Sequence, residues 1–310
     1  MEGGEVMSAI TLNEFYEIRQ GKSDKGVLVM DGDWLVFQAM AASEVETDWG
    51  DDVWTLECDH GKAWNILVDS IKSYAGRKKA WRDAPIVLAF TDSVNWRKEL
   101  VDPTYKENRK ASRKPVGYHA FIERVQAFED WTSILEPRLE GDDVMGIIGS
   151  GAKHFGFNKA VLVSCDKDFK TIPDCDFLWC TTGNILTQDQ TTADYWHIYQ
   201  TIKGDLTDGY GGIPGWGETT AEWLENPYAF EQVEKTFKSG ARKGQTVLEW
   251  KKVDIGERTL WEAIVTLGAK AGMTEEEIIK QGQMARILRF EEYNFIDKEI
   301  YLWSPEQLRS

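Results

Sequence analysis

The chain has 310 residues, of which 42% are hydrophobic and 28% charged, with a net charge of −16 and four cysteines. That length suits one large α/β domain, or a domain with a smaller helical lobe, and it is enough to bury a sizeable core. There is no apolar run of about 18 residues, no charged-then-apolar start and no C-x-x-C pair, which argues against a membrane span, a signal peptide and a disulfide scaffold and fits a reducing cytoplasm.

A helix is expected first, over about 12–19. It leads into Val27-Leu28-Val29-Met30, an apolar run ending in Asp31 that reads as a buried parallel strand. The acidic stretch 44–59 reads as a loop or irregular insertion. A helix over 62–79 precedes a second apolar run, Ile86-Val87-Leu88-Ala89-Phe90, which ends in Thr91-Asp92. Helices over 118–131 and 142–155 precede a third, Ala160-Val161-Leu162-Val163, which ends in Ser164-Cys165-Asp166. Strands alternating with helices predict a mostly parallel twisted sheet flanked by helices, in which ligands bind off the carboxyl ends of the strands. All three aspartates fall there. Beyond Leu178 helical segments dominate around a glycine-rich turn at 209–217, and a last helix over 275–288 packs on the body. Fourteen scattered tryptophans read as core or surface filler rather than base-stacking platforms.

A net charge of −16 would repel another polyanion, but the charge is unevenly spread. Between Lys72 and Lys114 twelve basic residues face five acidic ones, so that segment is +7 and the remainder −23. A basic segment of this kind is either a solvated face or a track for nucleic acid.

Carboxylates recur where packing would not choose them. Asp31 and Asp33 follow the first strand, Asp92 the second, and Asp166 and Asp168 the third; Glu140, Asp142 and Asp143 open a helix, and Asp205 and Asp208 precede the glycine turn. Acids gathered at one rim repel unless cations hold them together, and oxygen ligands without His or Cys suit Mg²⁺ or Mn²⁺ rather than Zn²⁺. Two such ions about 4 Å apart are the usual device for hydrolysing a phosphodiester. The plainer reading of Glu140, Asp142 and Asp143 is a set of acids complementing a helix dipole. The four histidines show no ligand spacing, and the P-loop, G-x-S-x-G and H-E-x-x-H motifs are missing.

In order and spacing these residues resemble the 5′-nuclease (flap endonuclease-like) superfamily, and most nearly the 5′→3′ exonucleases of T-seven-like coliphages. The resemblance runs from Val27 to the Tyr293-Asn294-Phe295-Ile296-Asp297 segment. It implies a catalytic α/β domain over 1–190 that includes a basic helical arch near 93–120, and a C-terminal helical DNA-binding lobe over 191–310 with a helix-three-turn-helix near 204–224. Two Mg²⁺ (or Mn²⁺) would be held by Asp31, Asp92, Glu140, Asp142, Asp143, Asp166, Asp168, Asp205 and Asp208. Lys106 and Arg109, three apart and so on one face of a helix, would contact the scissile phosphate, with Tyr105 stacked on the terminal base. Arg97, Lys98, Lys110, Arg113 and Lys114 would contact DNA, together with Gly211, Gly212, Gly215 and Gly217, where K⁺ is often bound. The chain departs from the usual pattern at Asp33, Gly209 and Thr219.

The implied activity is metal-dependent 5′→3′ exonuclease action on duplex DNA with a 5′ end, and on RNA in RNA-DNA hybrids. It would serve phage replication, recombination and host DNA breakdown in the cytoplasm of the bacterial host, alongside replication proteins and with no membrane or small-molecule cofactor. Two other readings fit parts of the pattern. Asp31-Gly32-Asp33 mimics the nucleophile motif of haloacid-dehalogenase-like phosphatases, and the basic segment with the glycine turn would serve a non-catalytic DNA-binding module.

Overall fold

The computed structural model describes residues 9–19, 25–109 and 113–309. Lys110 lies outside them. In chain order the elements begin with α1 (Leu12–Ile18), β1 (Val27–Asp31), α2 (Gly32–Ala41), β2 (Glu44–Asp48), β3 (Trp54–Cys58), α3 (His60–Ala75) and β4 (Ile86–Phe90). Next come α4 (Trp96–Leu100), α5 (Tyr118–Gln126), β5 (Thr132–Leu135), α6 (Gly141–Ser150), β6 (Ala160–Ser164), β7 (Asp176–Trp179), β8 (Asn184–Thr187) and α7 (Gln190–Lys203). The chain closes with α8 (Thr219–Glu225), β9 (Tyr228–Thr236), β10 (Thr246–Asp254), α9 (Leu260–Ala271), α10 (Glu275–Ala285), β11 (Tyr293–Asn294) and β12 (Glu299–Ile300).

Two compact units share these elements. The first holds residues 1–96, 110–193 and 287–301, the second 97–109, 194–286 and 302–310. Neither is continuous, so the division is not the sequential one expected at 190.

In the first unit a six-stranded sheet has the order β5-β4-β1-β6-β7-β8, parallel except for the antiparallel edge strand β8. The expected α/β class is borne out. Side chains alternate across each strand, so Leu28, Met30, Leu88, Phe90, Val161 and Val163 share one buried cluster with α2, α3 and α5. The opposite face takes α6, whose approach to the 287–290 segment is so close that a Cβ on Gly146 would lie 2.4 Å from the Leu288 carbonyl oxygen. The chain leaves β1 toward β4 and β5, then returns to the other side of β1 as β6. That reversal makes the carboxyl end of β1 a topological switch point, where open α/β sheets form their crevice.

The acidic stretch 44–59 is not a loop. β2 and β3 pair antiparallel from Glu44↔Cys58 to Asp48↔Trp54, turning through Gly50, Asp51 and Asp52, all with positive φ. Both faces of this hairpin are largely exposed, so no apolar alternation marks it. The stretch beyond Leu178 is also less helical than expected, because it carries β8 and a long ribbon, β9–β10.

The second unit packs α7, α8, α9 and α10 around Ile198, Ile202, Trp223, Ile264, Leu267, Ile278 and Trp303. Its buried His197 donates from Nε2 to the Gly282 carbonyl, 2.9 Å away, beside Trp303. Among the described residues no helix is long and apolar enough to cross a membrane, and all four cysteines are free.

Candidate active site

The acids of the first unit sit where three strands end. Asp31 is the last residue of β1 and caps α2, accepting from the Trp34 amide at 2.9 Å, while its other oxygen receives the Ser164 hydroxyl at 3.4 Å. Gly32 follows because a Cβ there would press to 2.8 Å against the Ala89 carbonyl and the Phe90 ring. Burial pushes the Asp31 carboxyl up to about 7, and the neighbouring Asp33 and Asp166 add to the rise against the pull of Trp34 and Ser164. Asp33 is raised too, first by burial and further by Glu140, although Thr91 and Lys114 oppose the shift. Asp31, Asp33, Glu140 and Asp166 therefore share one electrostatic neighbourhood. Thr91, which sequence reasoning passed over, ties it together by donating its amide to Asp33 at 2.8 Å and accepting the Gly141 amide on its hydroxyl at 2.9 Å.

The remaining acids of this unit differ in burial and in the partners they hold. Asp92 is half-buried and accepts the Ser93 and Arg138 amides, one on each oxygen, at 2.7 and 2.8 Å. Asp142 is half-buried in the first turn of α6. Asp166 is exposed and accepts the Asp168 amide at 2.9 Å, and Asp168 pairs with Lys167 at 3.5 Å. Among the described residues no three His, Cys, Asp or Glu side chains converge closely enough to hold one ion ready-made.

Asp143 corrects the expectation of a metal ligand. It is fully buried, with Oδ2 accepting from the Trp96 indole at 2.9 Å and the Glu140 amide at 3.3 Å, and Oδ1 from the Leu288 amide at 3.1 Å. Its oxygens join three parts of the first unit. Asp143→Ala should take the carboxylate acceptor away from three buried donors and cost about 3–5 kcal/mol, readable as a lower urea midpoint.

In the second unit the expected helix around Lys106 is a run of turns over 101–109, begun by Asp102, which accepts the Thr104 amide at 2.8 Å. Lys106 itself has φ of 57°, so Lys106 and Arg109 do not share a helical face. Asp208 gathers them instead. Its Oδ2 lies 3.8 Å from Lys106 Nζ and 3.4 Å from the Tyr105 hydroxyl, its Oδ1 pairs with Arg109, and its carbonyl accepts the Lys106 amide at 3.1 Å. Asp208, expected on a metal, is here the anchor of the basic pair. Tyr105 is only 2% exposed, so it packs in the second unit rather than offering a face to a terminal base. Asp205 is half-buried and caps the same loop, accepting the Thr207 amide at 2.8 Å.

Arg97 is a further correction. It is 2% exposed and donates to the Met284 and Arg286 carbonyls, which uses its guanidinium to hold the second unit together and removes it from any DNA track. Lys98 is exposed on α4. Arg113 forms a two-pronged pair with Glu44 and holds that carboxyl down at about 2, and Lys114 lies 4.8 Å from the Tyr118 ring centre. Of the four turn glycines, a Cβ on Gly211, Gly215 or Gly217 would meet nothing within 4 Å, so their backbone is open to approach. Gly212 is different. It is buried, its amide donates to Gln281 at 2.9 Å, and a Cβ would lie 2.4 Å from Gly204 N and Ile202 O. It closes the loop and contacts no solvent-borne phosphate.

No protein-family model matches the chain. A solved structure of T5 5′-exonuclease with divalent zinc ions is similar with a TM-score of 0.49 at 16% identity, covering 84% of this chain and 89% of that one. The exodeoxyribonuclease of Enterobacteria phage T3 is 66% identical over 300 residues, 96% of this chain and 99% of the relative. The exonuclease of Escherichia phage T7 is 64% identical over 300 residues, 96% of this chain and 100% of the relative. Near-complete coverage at that identity leaves no room for the phosphatase or the non-catalytic module, and the chain belongs to the family of these phage exonucleases.

Proposed function

We infer that this chain is an exodeoxyribonuclease that hydrolyses phosphodiesters from the 5′ ends of duplex DNA with the help of carboxylate-bound divalent cations. The observation that carries the chemistry is the shared neighbourhood of Asp31, Asp33 and Asp166 at the carboxyl ends of β1 and β6 with Glu140 at the start of α6. Their donor set is all oxygen, and their mutual repulsion is the kind that a hard divalent cation relieves, so the residues fit Mg²⁺ or Mn²⁺. Asp142, Asp92 and Asp168 would complete the shell in the first unit. Such ions supply an activated water and charge stabilisation for the leaving oxygen.

The chain's own residues do the rest. Asp31 and Asp166, with oxygens turned to local amides and hydroxyls, keep fixed orientations before any ion arrives. In the second unit Lys106 and Arg109, held by Asp208, offer an ammonium and a planar fork to the scissile phosphate. The open backbone at Gly211, Gly215 and Gly217 lets amides approach duplex phosphates, with K⁺ as the ion the resemblance attaches to that turn. Lys98 and, beyond the Glu44 pair, Arg113 and Lys114 add basic contacts. The finer substrate range, RNA in hybrids as well as DNA, and the biological setting in phage replication, recombination and host DNA breakdown in the host cytoplasm belong to the same reading.

An exonuclease of this kind needs an end and an ion. Linear duplex should disappear in Mg²⁺ and persist in EDTA, while covalently closed circular duplex survives both; circle loss at the linear rate would contradict the reading.

The raised Asp31 carboxyl gives a second expectation. Its folded pKa of about 7 stands above the 3.8 of the free group, so between those values the folded state holds a proton the unfolded chain has released. Stability of the metal-free protein therefore falls as pH rises from about 4 to about 7. Mg²⁺ should raise Tm more at pH 8 than at pH 5, and Asp31→Asn should raise the metal-free Tm at pH 8 while abolishing the Mg²⁺ increment. Equal Mg²⁺ increments in parent and variant would place the ion elsewhere.

A further inference from the structure

The β9–β10 ribbon is the largest feature of the second unit that the activity has not absorbed. Its strands pair without a break from Tyr228↔Asp254 to Thr236↔Thr246. At about 3.4 Å per residue the ribbon is about 30 Å long. Its base is anchored, with Ala229 and Phe230 buried and the Phe230 amide donating to Thr266 on α9 at 2.9 Å. Its far end is exposed and has its own closed turn, in which the Phe237 amide donates to the Gln245 carbonyl and the Gly244 amide to the Phe237 carbonyl.

The charges are sorted along this ribbon. Glu231 on the shaft pairs with Arg258, and Glu249 pairs with Lys235 at 2.7 Å. From Lys235 through Leu248 there is no acid at all, while Lys238, Arg242 and Lys243 crowd the tip of a chain whose net charge is −16. Among the described residues none of these three pairs with a carboxylate. At the other end lies a cavity of about 490 Å³ whose wall includes Gly215 of the glycine turn, Thr219 of α8, Lys252 of the ribbon and Lys270 of α9. Lys252 Nζ sits 3.5 Å from the centre of the Tyr228 ring and Lys270 Nζ 3.7 Å from that of Phe230, so both ammonium groups are held at the wall. Glu222 is the one carboxylate facing them there.

We propose that the β9–β10 ribbon is a second duplex-contacting element, continuing the glycine turn's contact with the DNA backbone through Lys252 and Lys270 at its base to Lys238, Arg242 and Lys243 at its tip. A two-stranded ribbon fits the width of a major groove, and unpaired cations at its end exchange counterions with phosphates without reading sequence. The ligand is the phosphodiester backbone of the duplex substrate. This inference rests on the reading of the turn as a duplex contact.

The test compares the full-length parent with Lys238→Gln/Arg242→Gln/Lys243→Gln, measuring duplex affinity against salt in EDTA and cleavage in Mg²⁺. Three lost phosphate contacts should make the slope of log K against log salt shallower by about 2–3 units. Cleavage at saturating DNA should stay within about twofold, because the tip serves grip rather than chemistry. Lys238→Arg/Lys243→Arg, with Arg242 retained, should keep the parent slope, which separates charge from loop folding. A parent that binds and cleaves duplex beside a triple variant of unchanged slope and affinity would overturn the ribbon alone. A parent that neither binds nor cleaves duplex would overturn both readings.

Discussion

Asp166→Asn should abolish cleavage, lowering turnover in Mg²⁺ by about a thousandfold or more, while duplex affinity stays within a few-fold of the parent. The expected split follows from what the residue touches. Asp166 is exposed after β6 and close enough to Asp31 to raise its pKa, so, on the proposed role of these acids, removing its charge would take away ion binding where charge develops in the transition state. Its Oδ1 accepts the Asp168 amide, which the asparagine carbonyl can also do, so the turn after β6 is spared. Asp142→Asn should behave in the same way, since Asp142 is half-buried in the first turn of α6. A folded Asp166→Asn protein with near-normal turnover would remove the acid neighbourhood from the chemistry.

Lys106→Ala should be the second largest loss, about a hundredfold in kcat with little change in duplex binding. Lys106 is held on Asp208 with only 15% of its side chain exposed, so it is a placed charge rather than a roaming one. A placed charge positions a reacting phosphate, and misplacement costs rate before affinity. Asp208→Asn should copy part of the Lys106 and Arg109 losses, because the anchor of both cations is weakened. Loss of affinity alone in Lys106→Ala would assign the residue to the outer basic surface.

The parts of this architecture that were legible in the sequence are those where burial is one-signed. β1, β4 and β6 are continuous apolar runs because both faces of a parallel sheet are covered, and their ends disclosed Asp31, Asp92 and Asp166. The hairpin β2–β3 is largely exposed on both faces, and so is the ribbon β9–β10 beyond its buried base at Ala229 and Phe230, so neither carries the alternation by which strands are recognised. Among acids and cations the sequence could not say which were committed to the fold. Asp143 stands beside Asp142 in a run that reads as one motif, yet the turn of α6 carries it inward to Trp96 and Leu288. Arg97 and Lys98 are neighbours, and only one faces solvent. The +7 segment is for the same reason a poorer track than its charge implies, since Lys78 lies 3.8 Å from Asp176, Arg113 pairs with Glu44, and Lys106 and Arg109 share Asp208.

Hydrolysis that starts from 5′ ends can be read from parallel digestion, in Mg²⁺, of one duplex labelled at its 5′ ends and another labelled at its 3′ ends. The 5′ label should be released early in short products while the 3′ label stays with long fragments. Early release of the 3′ label, or equal loss of both from internal cuts, would overturn hydrolysis from the 5′ end.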